Sequence, residues 1–150
     1  MSRVRRVVIV GGGTAGWMAA SGLAKSLGGT IDTTLVESDD IGTVGVGEAV
    51  IPLIKSFHAL LELDEKEFIH AVNGTYKLGI EFENWGRLGE SYFHPFGTPG
   101  VEAWAAQFHH YWLKACRQGE THALRNFSLE AMMAQAGRFT LDSDPQPQYA

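Results

Sequence analysis

The chain has 150 residues, of which 45% are hydrophobic and 19% charged, with a formal net charge of −5. That is enough for one domain of ordinary size, too apolar for a disordered chain and too interrupted by charge for a membrane-embedded one. The twelve Lys and Arg are scattered and offer no basic face to nucleic acid, and the single cysteine, Cys116, excludes an intramolecular disulfide framework or a multi-cysteine zinc site.

Arg3, Arg5 and Arg6 ahead of an apolar run imitate a secretion signal. Three consecutive glycines interrupt that run, so the chain reads as cytoplasmic. Residues 6–10 (Arg-Val-Val-Ile-Val) read as a short strand buried on both faces. Residues 14–27 read as a helix stopped by Gly28-Gly29, and residues 32–37 as a second strand. Strand, glycine turn, helix and strand make a βαβ unit with parallel strands. A glycine-rich loop follows over 38–48. Leu53, Ile54, Phe57, Leu60 and Leu61 mark a helix within 50–62. Asp64 with Glu67 three residues on predicts a capped helix reaching about Val72.

From Tyr76 to Trp85 the period changes to two, which predicts a strand. Leu78, Ile80 and Phe82 point one way, Lys77, Gly79, Glu81 and Glu83 the other. Arg87 to Glu90 is a turn, and Ser91 to Phe96 a returning strand. Val101, Trp104, Ala105, Phe108, Trp112 and Cys116 predict one face of a helix ending near Gly119. A further helix is predicted over about 122–136. The tail, with Pro145 and Pro147, reads as extended and exposed. The fold class is α/β: residues 1–48 form a dinucleotide-binding βαβ start, and residues 49–150 add helices and a hairpin.

Gly11-Gly12-Gly13-Thr14-Ala15-Gly16 matches G-x-G-x-x-G. The first glycine permits a tight turn, the second lets backbone approach a pyrophosphate, and the third lets helix and strand pack closely. The helix N-terminus then faces the phosphates with N–H groups and a partial positive charge. Glu37, 21 residues after Gly16, is placed to accept both hydroxyls of an adenosine ribose. It would repel a 2′-phosphate, so the ligand is FAD or NAD.

Further motifs narrow the choice. Trp17-Met18-Ala19-Ala20 directly follows the glycine turn. Gly45-Val46-Gly47-Glu48-Ala49-Val50-Ile51-Pro52, Asn73-Gly74-Thr75-Tyr76-Lys77-Leu78-Gly79-Ile80-Glu81-Phe82 and His94-Pro95-Phe96-Gly97 come next in order. Together these segments resemble the flavin-dependent tryptophan halogenases, with Val50 where that family more often has Thr or Ser. The resemblance implies that FAD, supplied in its reduced form by a separate reductase, acts with O₂ and halide to form hypohalous acid. It implies that Lys77 is the catalytic residue, either hydrogen-bonding that acid or becoming a haloamine. The product is then a halogenated electron-rich aromatic: tryptophan, another indole or a phenol. By the same resemblance Gly47, Glu48 and Ala49 belong to the cofactor loop, alongside Gly11, Gly13, Thr14, Ala15, Gly16 and Glu37. His94 and Phe96 face the substrate.

Other residues read more plainly. Adjacent His109 and His110 on a helix point apart and lack a third ligand, so no metal is expected. Trp104 and Trp112 read as core or interface aromatics that would suit a homodimer, and Cys116 as a small buried hydrophobe. No nucleic-acid or membrane partner is expected. The chain lacks the family's Trp-x-Trp-x-Ile-Pro segment, and its first strand has only one evident parallel neighbour, leaving an apolar edge. The expectation is an N-terminal portion of a halogenase with little activity alone. A flavin monooxygenase and a non-catalytic dinucleotide-binding fragment are the alternatives.

Overall fold

A computed structural model describes residues 3–42 and 49–150. The chain divides into two compact units, one of residues 1–49 and 53–74, the other of residues 50–52 and 75–150.

The first unit opens with β1 (Arg6–Val10), α1 (Thr14–Leu27) and β2 (Asp32–Val36). β1 and β2 are parallel, in register from Arg6 opposite Asp32 to Val10 opposite Val36. The ladder extends at both ends, through the Asp32 N–H to the Arg5 carbonyl and the Gly11 N–H to the Val36 carbonyl, at 2.8 and 2.9 Å. The predicted βαβ unit is therefore present, with β2 ending one residue before Glu37. β1 is not buried on both faces, however. Val7 and Ile9 are half-buried, while Val8 and Val10 are 62% and 84% exposed. An apolar run on both faces of a strand asks for two covering layers, and α1 supplies one.

α2 (Ile54–Leu61) packs on α1, joined by an ion pair between Lys25 Nζ and Glu62 Oε2 at 2.6 Å. Its start lies later than residue 50 because Pro52 disfavours helical backbone at Ile51. α3 (Glu65–Val72) carries the predicted cap: Asp64 Oδ1 accepts from the Glu67 N–H at 2.9 Å.

The second unit is built on an antiparallel hairpin, β3 (Gly79–Glu83) with β4 (Ser91–Pro95), paired from Gly79 opposite Pro95 to Glu83 opposite Ser91. β3 is shorter than the Tyr76–Trp85 pattern. At one end Asn84 adopts a left-handed φ of 59° and accepts the Gly89 N–H on Oδ1 at 2.7 Å, which closes the turn. At the other end Lys77 pairs elsewhere: its N–H donates to the Ala150 carbonyl at 2.8 Å, and the Ala150 N–H returns to the Lys77 carbonyl at 2.9 Å. The tail is thus neither free nor wholly exposed. Pro147 and Tyr149 are buried. Tyr149 meets Leu78 and Met133 in the core, edge-on to the stacked rings of Tyr76 and Phe139. The backbone just before β3 needs partners, and the tail provides them.

Two helix predictions also change. α4 spans Phe108–Arg117, and Val101 to Gln107 are not helical. Trp104 is fully exposed, so it is not a core residue. Apolar spacing stabilises a helix only where it buries a face, and this segment buries none at Trp104. Trp112 is half-buried and donates from Nε1 to the His122 carbonyl at 2.9 Å, and Cys116 is half-buried. The 122–136 region is a 3₁₀ turn (Leu124–Phe127) followed by α5 (Leu129–Gln135). Ser128 breaks it with extended backbone, and its Oγ accepts the Ala131 N–H at 3.2 Å as an N-cap. Among the described residues no helix is long and apolar enough to cross a membrane.

Candidate active site

In the first unit the glycine turn is shaped by close approaches. Gly11 has φ of +121°, a conformation L side chains rarely adopt. A Cβ on Gly16 would overlap the Gly11 carbonyl oxygen, a backbone atom that has no rotamer to vacate the space. Gly13, the N-cap of α1, is different: a Cβ there would meet nothing within 4 Å. No side chain caps α1, and its first turn contains no acid. Backbone N–H groups at a helix start suit a phosphate. Thr14 and Ala15 supply the first two residues of that helix. Glu37 stands exposed just past β2, and its side chain fills the space above Gly12, where any Cβ would overlap it. The middle glycine, which the G-x-G-x-x-G pattern leaves free, is therefore demanded by the acid. The residues fit an adenine dinucleotide: a glycine turn leading into a helix N-terminus, with a carboxylate beside it. Gly47 and Glu48 lie outside the described residues; Ala49 is exposed.

In the second unit Lys77 is half-buried at the entry to β3. Its Nζ donates to the Val50 carbonyl at 3.3 Å and lies 5.4 Å from the centroid of the Phe96 ring. Two segments distant in sequence thus converge on one amine. Phe96 is set by its own N–H, which donates to the Leu78 carbonyl at 3.0 Å and continues the hairpin ladder. An ammonium over a ring face gains from the ring quadrupole. His94 lies on β4 opposite Ile80 and is exposed. Among the described residues no hydrogen bond or ring contact joins it to Lys77. Glu81 and Glu83 are exposed and build no acid–base pair. The rings of His109 and His110 pack on each other, and no group of three metal-binding side chains occurs among the described residues.

Four residues of the second unit, Glu130, Ser128, Gln148 and Ala150, escape a reading of the sequence. Glu130 is only 4% exposed. Its Oε1 accepts the Gln148 N–H at 2.9 Å and its Oε2 the Ser128 hydroxyl at 3.1 Å. A Cβ on Gly97 would overlap the same carboxylate. Gln148 and Ala150 reach the site only because the tail folds back. Helical spacing over 122–136 carries no sign of this, since a single Glu in an apolar helix reads as surface.

Comparison with known proteins gives the family. The family model for tryptophan halogenase matches residues 6–150. This chain belongs to the tryptophan halogenase family. It is 55% identical over 91 residues to a tryptophan 6-halogenase from Streptomyces toxytricini, covering 61% of this chain and 17% of that protein. It is 39% identical over 133 residues to a tryptophan 7-halogenase from Lentzea aerocolonigenes, covering 79% of this chain and 25% of that protein. A flavin-dependent halogenase from Xanthomonas campestris superposes with a TM-score of 0.90 at 51% identity, over 99% of this chain and 30% of that one. The chain therefore spans about a sixth to a quarter of these curated relatives. The α/β architecture with a Rossmann-like start is the family fold.

Proposed function

We propose that this chain is part of a flavin-dependent halogenase that places a halogen on tryptophan or another electron-rich indole or phenol. FAD would be held by Gly11, Gly13, Thr14, Ala15, Gly16 and Glu37, with Gly47, Glu48 and Ala49 completing the loop. Bound in its reduced form, the flavin supplies the electrons that turn O₂, halide and a proton into hypohalous acid and water. A reductase working in the same cytoplasm would renew it, and Trp104 is open to a second copy.

The observation that carries this reading is the Lys77 amine, anchored on the Val50 carbonyl and set over Phe96. As a free amine, Nζ takes the halogen from hypohalous acid and releases water. The aromatic carbon then takes the halogen from nitrogen, loses its proton, and the amine is restored. As an ammonium, Nζ donates a hydrogen bond to the oxygen of hypohalous acid, and the halogen passes directly to the ring with loss of water. In both routes the lysine offers the electrophile to one carbon only, which is positional catalysis. Phe96 would stack on the substrate ring, with His94 at the rim.

The test is Lys77→Ala in the full gene product, assayed with reduced flavin, O₂ and halide. Expected is loss of halogenated product by at least about a hundredfold, with hypohalous acid still trapped by a reactive diketone dye. Unchanged product removes Lys77 from this role. A wild-type product heavier by one oxygen, with no halogen isotope pattern, identifies a monooxygenase instead.

A further inference from the structure

Glu130 is the one nearly fully buried carboxylate among the described residues, and the chemistry above does not use it. Its surroundings connect it to both flanks of Lys77. On one side its Oε1 holds the Gln148 N–H. Two residues later, Ala150 exchanges both backbone hydrogen bonds with Lys77. On the other side the carboxylate lies against Gly97, so closely that any side chain there would overlap it. Gly97 directly follows Phe96, the ring over the Lys77 amine. Ser128, itself 1% exposed, donates to Oε2 and fixes the carboxylate from behind.

A buried carboxylate is costly unless its oxygens are bonded, and both of these are. Removing it would leave the Gln148 N–H and the Ser128 hydroxyl without their acceptor, and would open a void against Gly97. The two backbone segments that frame Lys77 would then lose their common spacer. We propose that Glu130 is a positioning residue for Lys77: it sets the distance between the Gln148–Ala150 segment, which pins the lysine backbone, and the Phe96–Gly97 segment, which places a ring over its amine. Gly97 is the complementary half of the device, since only glycine admits the carboxylate. The inference rests on the reading of Lys77 as the amine that handles the electrophile.

The experiment compares Glu130→Ala, Glu130→Gln and Gly97→Ala in the full gene product with two readouts. The first is halogenated product formed per hypohalous acid generated. Displacement of a reacting group by about 1 Å costs up to about a hundredfold, so Glu130→Ala is expected to lower this ratio at least tenfold with little change in KM for the aromatic. Glu130→Gln keeps an acceptor for Gln148 and offers its amide to the Ser128 oxygen, so it should stay within about threefold of wild type. Gly97→Ala should resemble Glu130→Ala, and the double variant should be no worse than Gly97→Ala alone, because the clash and the carboxylate vanish together.

The second readout needs no turnover: the rate of reductive methylation of Lys77 relative to exposed Lys66 and Lys114 in the same molecule. It should change at least threefold in Glu130→Ala and return in Glu130→Gln. Overturning results are an unchanged Lys77 ratio in Glu130→Ala, or a folded Glu130→Gln as impaired as Glu130→Ala. Should Glu130→Ala unfold the unit, loss of its far-UV circular dichroism shows it and Gly97→Ala decides, with an unchanged Lys77 ratio there overturning the proposal. A wild-type enzyme that makes no halogenated product defeats the halogenase reading alone, and the methylation ratio still judges the role of Glu130.

Discussion

The two units hold themselves together differently. Among its described residues the first has none that is fully buried; its order comes from a parallel backbone ladder, one crossover helix and a glycine turn in which a Cβ on Gly12 or Gly16 would overlap its neighbours. The second has a small apolar core of Leu78, Met133 and Tyr149, closed by backbone hydrogen bonds between residues far apart in sequence, 77 with 150 and 100 with 127. Their sites follow suit. The first unit offers a ligand mainly backbone N–H groups, which any sequence with the right glycines can present. The second offers a side-chain amine, whose usefulness depends on everything that orients it. Side-chain truncation should therefore hurt the second unit more, and added Cβ atoms should hurt the first.

The largest effect expected on stability is in the second unit. Leu78 lies between Lys77 and Gly79 and is buried against Met133 and Tyr149. Leu78→Ala removes most of that contact and leaves a void that the stacked Tyr76 and Phe139 rings are poorly placed to fill. Truncating a buried leucine typically costs about 2–5 kcal/mol, and this core is small enough that about 3 kcal/mol would show plainly in urea unfolding of the 150-residue chain. A change below about 1 kcal/mol would mean that the backbone pairing with the tail, rather than the core, carries the unit.

Gly16→Ala is the counterpart in the first unit. The new methyl would overlap the Gly11 carbonyl oxygen, so helix and strand must separate. Overpacking of this kind costs about 1–3 kcal/mol. Flavin retention should fall much further, because the turn that faces the phosphates is deformed. Gly13→Ala is the control, since a Cβ there meets nothing: it should leave stability nearly unchanged while still lowering flavin affinity. Equal stability loss in both variants would contradict the close-packing account of Gly16.

This contrast also explains what the sequence discloses. The first unit is legible because its determinants are local: five β-branched and basic residues, a glycine turn, a helix and a second strand all lie within residues 6–36. The Asp64 cap is equally local. What fails there is the burial of β1, since an apolar pattern states what a strand requires and not what covers it. In the second unit the hairpin is legible from its period, and Lys77 is singled out by motif. The tail is not, because two prolines suggest extension without naming a partner, and Lys77 lies 73 residues from Ala150 in sequence. Glu130 is hidden for the same reason. The 101–107 segment misleads in the other direction: Val101 and Trp104 have helical spacing and nothing to bury against.

Glu37→Ala probes the acidic side chain that the described residues of the first unit bring to the candidate site. The carboxylate sits exposed above Gly12, and its proposed partners are the ribose hydroxyls. Hydrogen bonds to a charged group contribute about 1.5–3 kcal/mol, so flavin affinity should fall about tenfold or more while the thermal midpoint stays put. A calorimetric titration measures both. If affinity is unchanged, the backbone cradle alone binds the flavin and the contrast between the units sharpens.

The smallest effect expected is at Lys25 and Glu62, the ion pair between α1 and α2. The hydrogen bond from Lys25, helped by its charge, holds the Glu62 carboxyl below the ordinary glutamate range. A group whose pKa is lower when folded than when unfolded stabilises the fold above its unfolded pKa, about 4.3, and ceases to do so as pH falls through the folded value. Glu62 is largely exposed, so water and salt screen the pair. Glu62→Gln should accordingly shift the thermal midpoint only slightly at pH 7, and the wild-type and variant curves should converge below about pH 4. The shift should shrink further at high salt. A large shift at pH 7 that persisted in acid would place the α1–α2 contact among the packing interactions, and the first unit would then resemble the second more closely than its lack of buried residues implies.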